Sequence, residues 1–189
     1  MSMLEPAVTA PIVAVFASDK GPGDPERASI MSQAGSYFAK RSARIVCLAE
    51  NGIIPVPLIT AARTAGGSIQ IVADAGIVLP QALAGVTTEV LADKADRLAR
   101  VAQLAEAYVA LPGSLASASA LFGTWAAAKS QGRTPPVVML NRHKAYEVMR
   151  GYAADVLSPG LPGYDRAVQF ADTIEDLWAR LVRLVTEAR

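Results

Sequence analysis

The chain has 189 residues, with 18 Lys and Arg against 17 Asp and Glu for a formal net charge of +1, and 52% of it is hydrophobic while 6% is aromatic. That length suits one domain, residues 1–189, and a near-neutral charge without a basic stripe argues against a nucleic-acid binder. A single cysteine, Cys47, excludes an internal disulfide, no apolar run approaches the roughly 20 residues that cross a bilayer, and no Cys, His and carboxylate group has metal-ligand spacing.

Residues 1–10 read as a flexible N-terminal extension. They lack the basic start and apolar run of a signal peptide, so a cytoplasmic protein is expected. Pro11 to Phe16 reads as a buried strand, and the Gly21-Pro22-Gly23 turn leads to a helix that Asp24 caps and Pro25 opens, running to about Lys40. Arg44 to Leu48 is a second strand, with Cys47 as a buried structural thiol. A helix from Pro57 to Ala65 ends at Gly66-Gly67. Ile69 to Ala73 is the third strand, Asp74 to Gly85 a loop, and Thr88 to Leu91 a short fourth strand. Asp93 caps a helix with Leu98, Val101, Ala102 and Leu104 on one face. Tyr108 to Leu111 is the fifth strand, Ser117 to Ser130 a long Ala/Ser-rich helix, and Pro136 to Leu140 the sixth strand. A helix over Lys144 to Ala154, a loop over Ser158 to Gly163 and a strand over Ala167 to Phe170 follow. The last helix has Thr173 and Asp176 in a capping-box arrangement and a stripe of Ile174, Leu177, Trp178, Leu181, Val182 and Val185.

Strands alternating with helices predict an α/β fold: a doubly wound, mainly parallel Rossmann-like sheet of six or seven strands with helices on both faces. Ligands of such sheets lie beyond the carboxyl ends of the strands. Three ends therefore matter: Ala17 to Lys20, Ala49 to Ile54, and Pro112 to Ser119. The last follows a buried strand, turns at Pro112-Gly113 and enters a helix. Free amides at a helix N-terminus attract anions, and Ser114, Ser117 and Ser119 add hydroxyls. The alternative is that these serines only cap the helix.

The segment AYVALPGSLASASALF, Ala107 to Phe122, resembles the ALPGGxGTxxE hallmark of the Lonely Guy (LOG) family of nucleotide hydrolases, whose members have also carried the label lysine decarboxylase. Ala110, Leu111, Pro112 and Gly113 match; Ser114, Ala116, Ser117 and Ala120 stand where the family has glycine, glycine, threonine and glutamate. Upstream, Arg97 matches the arginine of the family's M-H-x-R-K. Leu104 to Val109, Pro136 to Asn141 and Val168 to Leu181 are also similar. Leu48, Ala49, Glu50 and Asn51 replace the family's glycine-rich loop after the second strand, and Asp19 stands among its small hydroxyl residues after the first.

The resemblance implies a Rossmann-like homodimer that binds a small phosphorylated or nucleotide-like ligand, with no cofactor, no metal, no nucleic acid and no membrane. The expected ligand set is Ser18, Asn51, Gly52, Arg97, Pro112, Gly113, Ser114, Ser117 and Ser119. The family's reaction cleaves the N-glycosidic bond of a nucleoside 5′-monophosphate. Arg97 is the retained catalytic residue, but Ala120 supplies no carboxylate for general-base or charge-stabilising work. Glu50 is the best substitute carboxylate, ahead of Asp19 and Glu89, while His143 reads as a surface histidine. Three functions stay open: a ligand-binding protein with hydrolysis lost or much reduced, an active phosphoribohydrolase (N-glycosyl hydrolase) with an altered site, and a non-catalytic structural or interaction protein.

Overall fold

The computed structural model describes residues 9–18, 24–160 and 163–189. The N-terminal extension up to residue 8, the Gly21-Pro22-Gly23 turn, and Asp19 and Lys20 lie outside the described residues.

Seven strands form one sheet: β1 (Ile12–Phe16), β2 (Arg44–Ala49), β3 (Ser68–Ala73), β4 (Thr87–Val90), β5 (Ala107–Ala110), β6 (Val137–Leu140) and β7 (Val168–Ala171). Their order is β4-β3-β2-β1-β5-β6-β7, and every pairing is parallel. β1 is central, with Val13 opposite Ile45 on one side and Ala107 on the other. The chain winds outward from β1 to β4, returns to β5 at β1's free side, and winds outward again. The doubly wound fold is therefore as expected, with its switch point between β1 and β5.

The helices are α1 (Pro25–Ala39), α2 (Val56–Thr64), α3 (Lys94–Leu104), α4 (Leu115–Ser130), α5 (Glu147–Tyr152), the short turns α6 (Ser158–Gly160) and α7 (Tyr164–Ala167), and α8 (Ile174–Ala188). The central strands β1, β5 and β6 are buried on both faces, which is why they read as continuous apolar runs. Val13 and Val15 of β1 meet α1, α2 and α8, whereas Ala14 and Phe16 meet α3 and α4. A Cβ at Gly35 would stand 2.3 Å from the Leu58 carbonyl oxygen, so the close approach of α1 and α2 requires glycine there.

The caps are as the sequence predicts. Asp24 accepts from the Arg27 amide (3.1 Å) with Pro25 opening α1, and Asp93 accepts from the amides of Ala95 (2.8 Å) and Asp96 (3.2 Å). At α8, Thr173 Oγ1 accepts from the Asp176 amide (3.1 Å), but the reciprocal bond of a capping box is not made. Asp176 instead accepts from Arg180 Nε at 2.9 Å. The stripe of α8 is as read, with Leu184 added, and Trp178 stacks on Phe38 with ring centroids 5.6 Å apart.

Several boundaries differ. α4 begins at Leu115, two residues earlier than expected, with Ser114 at its cap. The loop from Asp74 to Gly85 holds a 3-10 turn, Gln81–Leu83, that buries Leu83. The expected helix over 144–154 is broken: a 3-10 turn Arg142–Lys144 precedes α5, and a π-turn Ala153–Leu157 follows it. The break has a backbone cause, since His143 (φ 53°) and Lys144 (φ 58°) are left-handed. Of the loop expected over Ser158 to Gly163, the start is the turn α6, and Leu161 and Pro162 lie outside the described residues. Among the described residues, no helix is long and apolar enough to cross a membrane.

Candidate functional site

At the switch point, the chain after β1 and the turn after β5 meet through serines. Ser18 Oγ accepts from the Ser114 amide (3.0 Å) and lies 2.7 Å from Ser114 Oγ. Ser117 Oγ accepts from the same amide (3.1 Å) and donates to the Ser114 carbonyl (2.9 Å). A Cβ at Gly113 would fall 2.4 Å from Ser117 Oγ and 3.1 Å from Ser18 Oγ, so only glycine admits this knot. The Ser114 amide is thereby satisfied internally. The first amides of a helix have no intrahelical acceptor, which leaves those of Leu115 and Ala116 to a ligand or water.

Two spaces flank the knot. Toward β2 lies a cleft of about 50 Å³, lined by Phe16, Ser18, Leu48, Glu50, Ala116, Ser117 and Ala120 among others. Glu50, one of its lining residues, is held in an ion pair. The Arg97 side chain, 6% exposed, donates from Nε (3.1 Å) and Nη2 (2.9 Å) to Glu50 Oε2, and from Nη1 to the carbonyls of Leu91 (2.9 Å) and Ala92 (2.8 Å). Arg97 and Glu50 thus hold each other.

After β2 the chain makes a tight turn. Asn51 (φ 53°) and Gly52 (φ 74°) both take the left-handed backbone that such a turn needs. Glu50 and Ile53 pair across it, and the Asn51 amide donates to Asp74 Oδ2 at 2.7 Å. A space of about 50 Å³ is far below the several hundred that ligand pockets offer.

On the other side of α4's first turn opens a hollow of about 590 Å³. Pro112, Gly113 and Ser114 form one wall, Arg27 and Glu26 of α1 another, and Arg142, His143 and Tyr146 a third. The Arg27 side chain is 12% exposed, and its buried Nε has no hydrogen-bond partner among the described residues. The nearest carboxylate oxygens, on Asp24 and Glu26, stand at 4.0 Å and 3.9 Å from its nitrogens. His143 is well exposed, with Nε2 3.4 Å from Glu26 Oε1.

The strained turn after β6 is braced by the buried Asn141. Its Oδ1 accepts from the Tyr146 amide (2.7 Å), and its Nδ2 donates to Glu147 Oε2 (2.9 Å). That bond and the neighbouring Arg150 hold the Glu147 carboxyl below its usual value. Tyr146 Oη donates to the Leu111 carbonyl, and burial pushes its phenol up to about 12 against the pull of Arg27, so it remains a neutral donor.

The structure therefore divides the expected ligand set. Ser18, Asn51 and Ser117 border the small cleft, and Pro112, Gly113 and Ser114 border the open hollow. Arg97 is committed to Glu50, Gly52 is exposed at the tip of its turn, and Ser119 is exposed and lines neither space. Glu89, the other carboxylate considered, pairs with Arg100 at 2.9 Å. Sequence reasoning missed Arg27 and Tyr146. The available signal for Arg27 was its place in the first turn of a helix that begins at a strand's carboxyl end. No group of metal-ligating side chains occurs among the described residues.

No family model matches the chain, and no curated protein does. Solved structures do. The molybdenum cofactor carrier protein of Chlamydomonas reinhardtii superposes with a TM-score of 0.69 at 17% identity, over 94% of this chain and 99% of that one. The structural-genomics target TM1055 gives 0.63 at 20% identity, over 94% and 99%. A molybdenum cofactor binding protein from the phototrophic bacterium Rippkaea orientalis gives 0.61 at 15% identity, over 96% and 99%. At these identities the likeness shows the Rossmann-like fold.

Proposed function

We propose that this chain binds a small phosphorylated or nucleotide-like ligand in the hollow at the N-terminus of α4, as a carrier or sensor. We further propose that it is a divergent relative of the Lonely Guy family, folded as one domain and assembled as a cytoplasmic homodimer, in which N-glycosidic hydrolysis is lost. One observation carries the binding reading. The Leu115 amide, which has no intrahelical acceptor, and Arg27, whose Nε has no hydrogen-bond partner among the described residues, both border a space of about 590 Å³ at the sheet's switch point. A phosphate satisfies both donors, and the guanidinium suits it through its fork of N–H groups. Arg142 adds positive charge at the rim, where Glu26 also borders the hollow.

The loss of hydrolysis rests on chemistry. Ala120 has no carboxylate, and Arg97 and Glu50 neutralise each other beside a cleft too small for a nucleoside. The names of two similar structures, a carrier and a binding protein for the molybdenum cofactor, agree with a binding role.

The test is a melting-temperature screen with inorganic phosphate, ribose 5-phosphate, nucleoside monophosphates and molybdenum cofactor, paired with an assay for released base. A ligand that binds the folded state alone raises the melting temperature. The expected result is a rise with at least one phosphorylated compound, abolished by Arg27→Ala, and no free base. Free base released in proportion to enzyme overturns the loss of hydrolysis. No shift with any compound overturns the binding role.

A further inference from the structure

We infer that the ligand of the hollow carries a flat apolar ring as well as a negative charge, and that the ring lies in a pocket between α4 and α5. This rests on the proposed anion hollow and extends it.

The pocket measures about 450 Å³ and is walled almost wholly by apolar groups, with Phe122, Trp125 and Tyr152 facing Met139 and Met149. It adjoins the hollow: Met149 lines both. The floor is also shared. Leu115 and Ala118 of α4 line the hollow, and Phe122 and Trp125 line the pocket. Steps of three and four residues place all four on one face of the helix. One α-helical face thus runs from a cationic, donor-rich end to an aromatic end.

Apolar side chains that the fold has not buried mark the second end. Phe122 is 38% exposed, Tyr152 51% and Val148 85%. Rings and thioethers favour a planar partner through π-faces and polarisable sulfur. Charge complementarity selects the occupant: a molecule with an anionic group at one end and an aromatic ring at the other suits both spaces at once, whereas a wholly apolar one leaves the Arg27 Nε without a hydrogen-bond partner. Each space alone falls within the usual range for small-molecule sites.

The experiment compares three probes by calorimetry on the unmodified protein: inorganic phosphate, 1-naphthyl phosphate and 1-naphthol. A fluorescence arm uses Trp178→Phe. The chain has two tryptophans, and Trp178 packs against Phe38 in the opposite core, so the variant leaves Trp125 as the sole reporter. We expect 1-naphthyl phosphate to bind at least about tenfold tighter than either other probe, as burial of a ring's area allows, and to change Trp125 emission.

Equal binding of phosphate and 1-naphthyl phosphate, with Trp125 unmoved, overturns the ring site and leaves the anion hollow standing. Equal binding of 1-naphthol and 1-naphthyl phosphate overturns the joined ligand. Trp125 emission that follows protein concentration and ignores every probe also overturns it, since a second copy of the chain then fills the pocket. Failure of all three probes to bind removes the anion hollow together with this extension.

Discussion

Arg97 and Glu50 show how one pair decides what a crevice can do. Each is almost buried, with side chains 6% and 13% exposed, and each is the other's charge partner. Removing one member of a buried pair leaves a charge uncompensated, which costs about 3–5 kcal/mol, whereas replacing both by apolar groups is often neutral. Glu50→Gln is therefore expected to lower unfolding stability by about 3 kcal/mol in urea titration. Glu50→Leu combined with Arg97→Met should restore most of it. A harmless Glu50→Gln contradicts the structural role given to the pair. Gly113 is the second such residue. Gly113→Ala drives a Cβ into Ser117 Oγ, and overpacking of this kind costs about 1–3 kcal/mol. Adding Ser117→Ala removes the clash, so the double variant is expected to be more stable than the single one. If the single variant is as stable as the parent, the knot is looser than described.

At the scale of elements, what was legible followed local chemistry. Buried strands announced themselves as Val, Ile and Ala runs, and Asp24 and Asp93 announced helix starts because an N-cap needs only its own turn. The broken helix after β6 was not legible. Left-handed His143 and Lys144 are held by Asn141, which reaches Tyr146 and Glu147, and no local propensity encodes that brace. The same holds for the site. Gly113 and the serines were readable from the strand-turn-helix pattern, but which side of α4 stays open depends on where Arg97 and Glu50 meet. These residues lie 47 positions apart. Asn141→Ala strips the brace of two bonds, so amide hydrogen exchange over residues 142–152 is expected to quicken by about tenfold, the equivalent of roughly 1.4 kcal/mol. Unchanged exchange there means that the turn holds its strain by other means.

For the molecule as a whole, burial sets the response to alkali. Burial pushes Cys47 from 9.0 to about 12, and Tyr108 and Tyr146 from 10.0 to about 12. Their neutral forms belong to the folded state. The stability they confer is complete below pH 9, falls as pH rises past the unfolded values, and is lost by about pH 12. Phenolate absorbance from Tyr108 and Tyr146 should therefore appear together with the loss of ellipticity, in one transition. Ionisation of both near pH 10 with ellipticity intact contradicts their burial.

The doubly wound sheet also fixes where a ligand belongs, at the reversal between β1 and β5. There the chain offers a narrow cleft of about 50 Å³ on one side of α4 and a hollow of about 590 Å³, bordered by Arg27 and Arg142, on the other. The most direct measurement is a crystal soaked with tungstate, a heavy tetrahedral stand-in for phosphate, and located by its anomalous scattering. One strong site is expected, within hydrogen-bond reach of Arg27 and the amide of Leu115. Tungstate bound in the Arg97 cleft instead, or a hollow left empty at saturating concentration, contradicts that expectation.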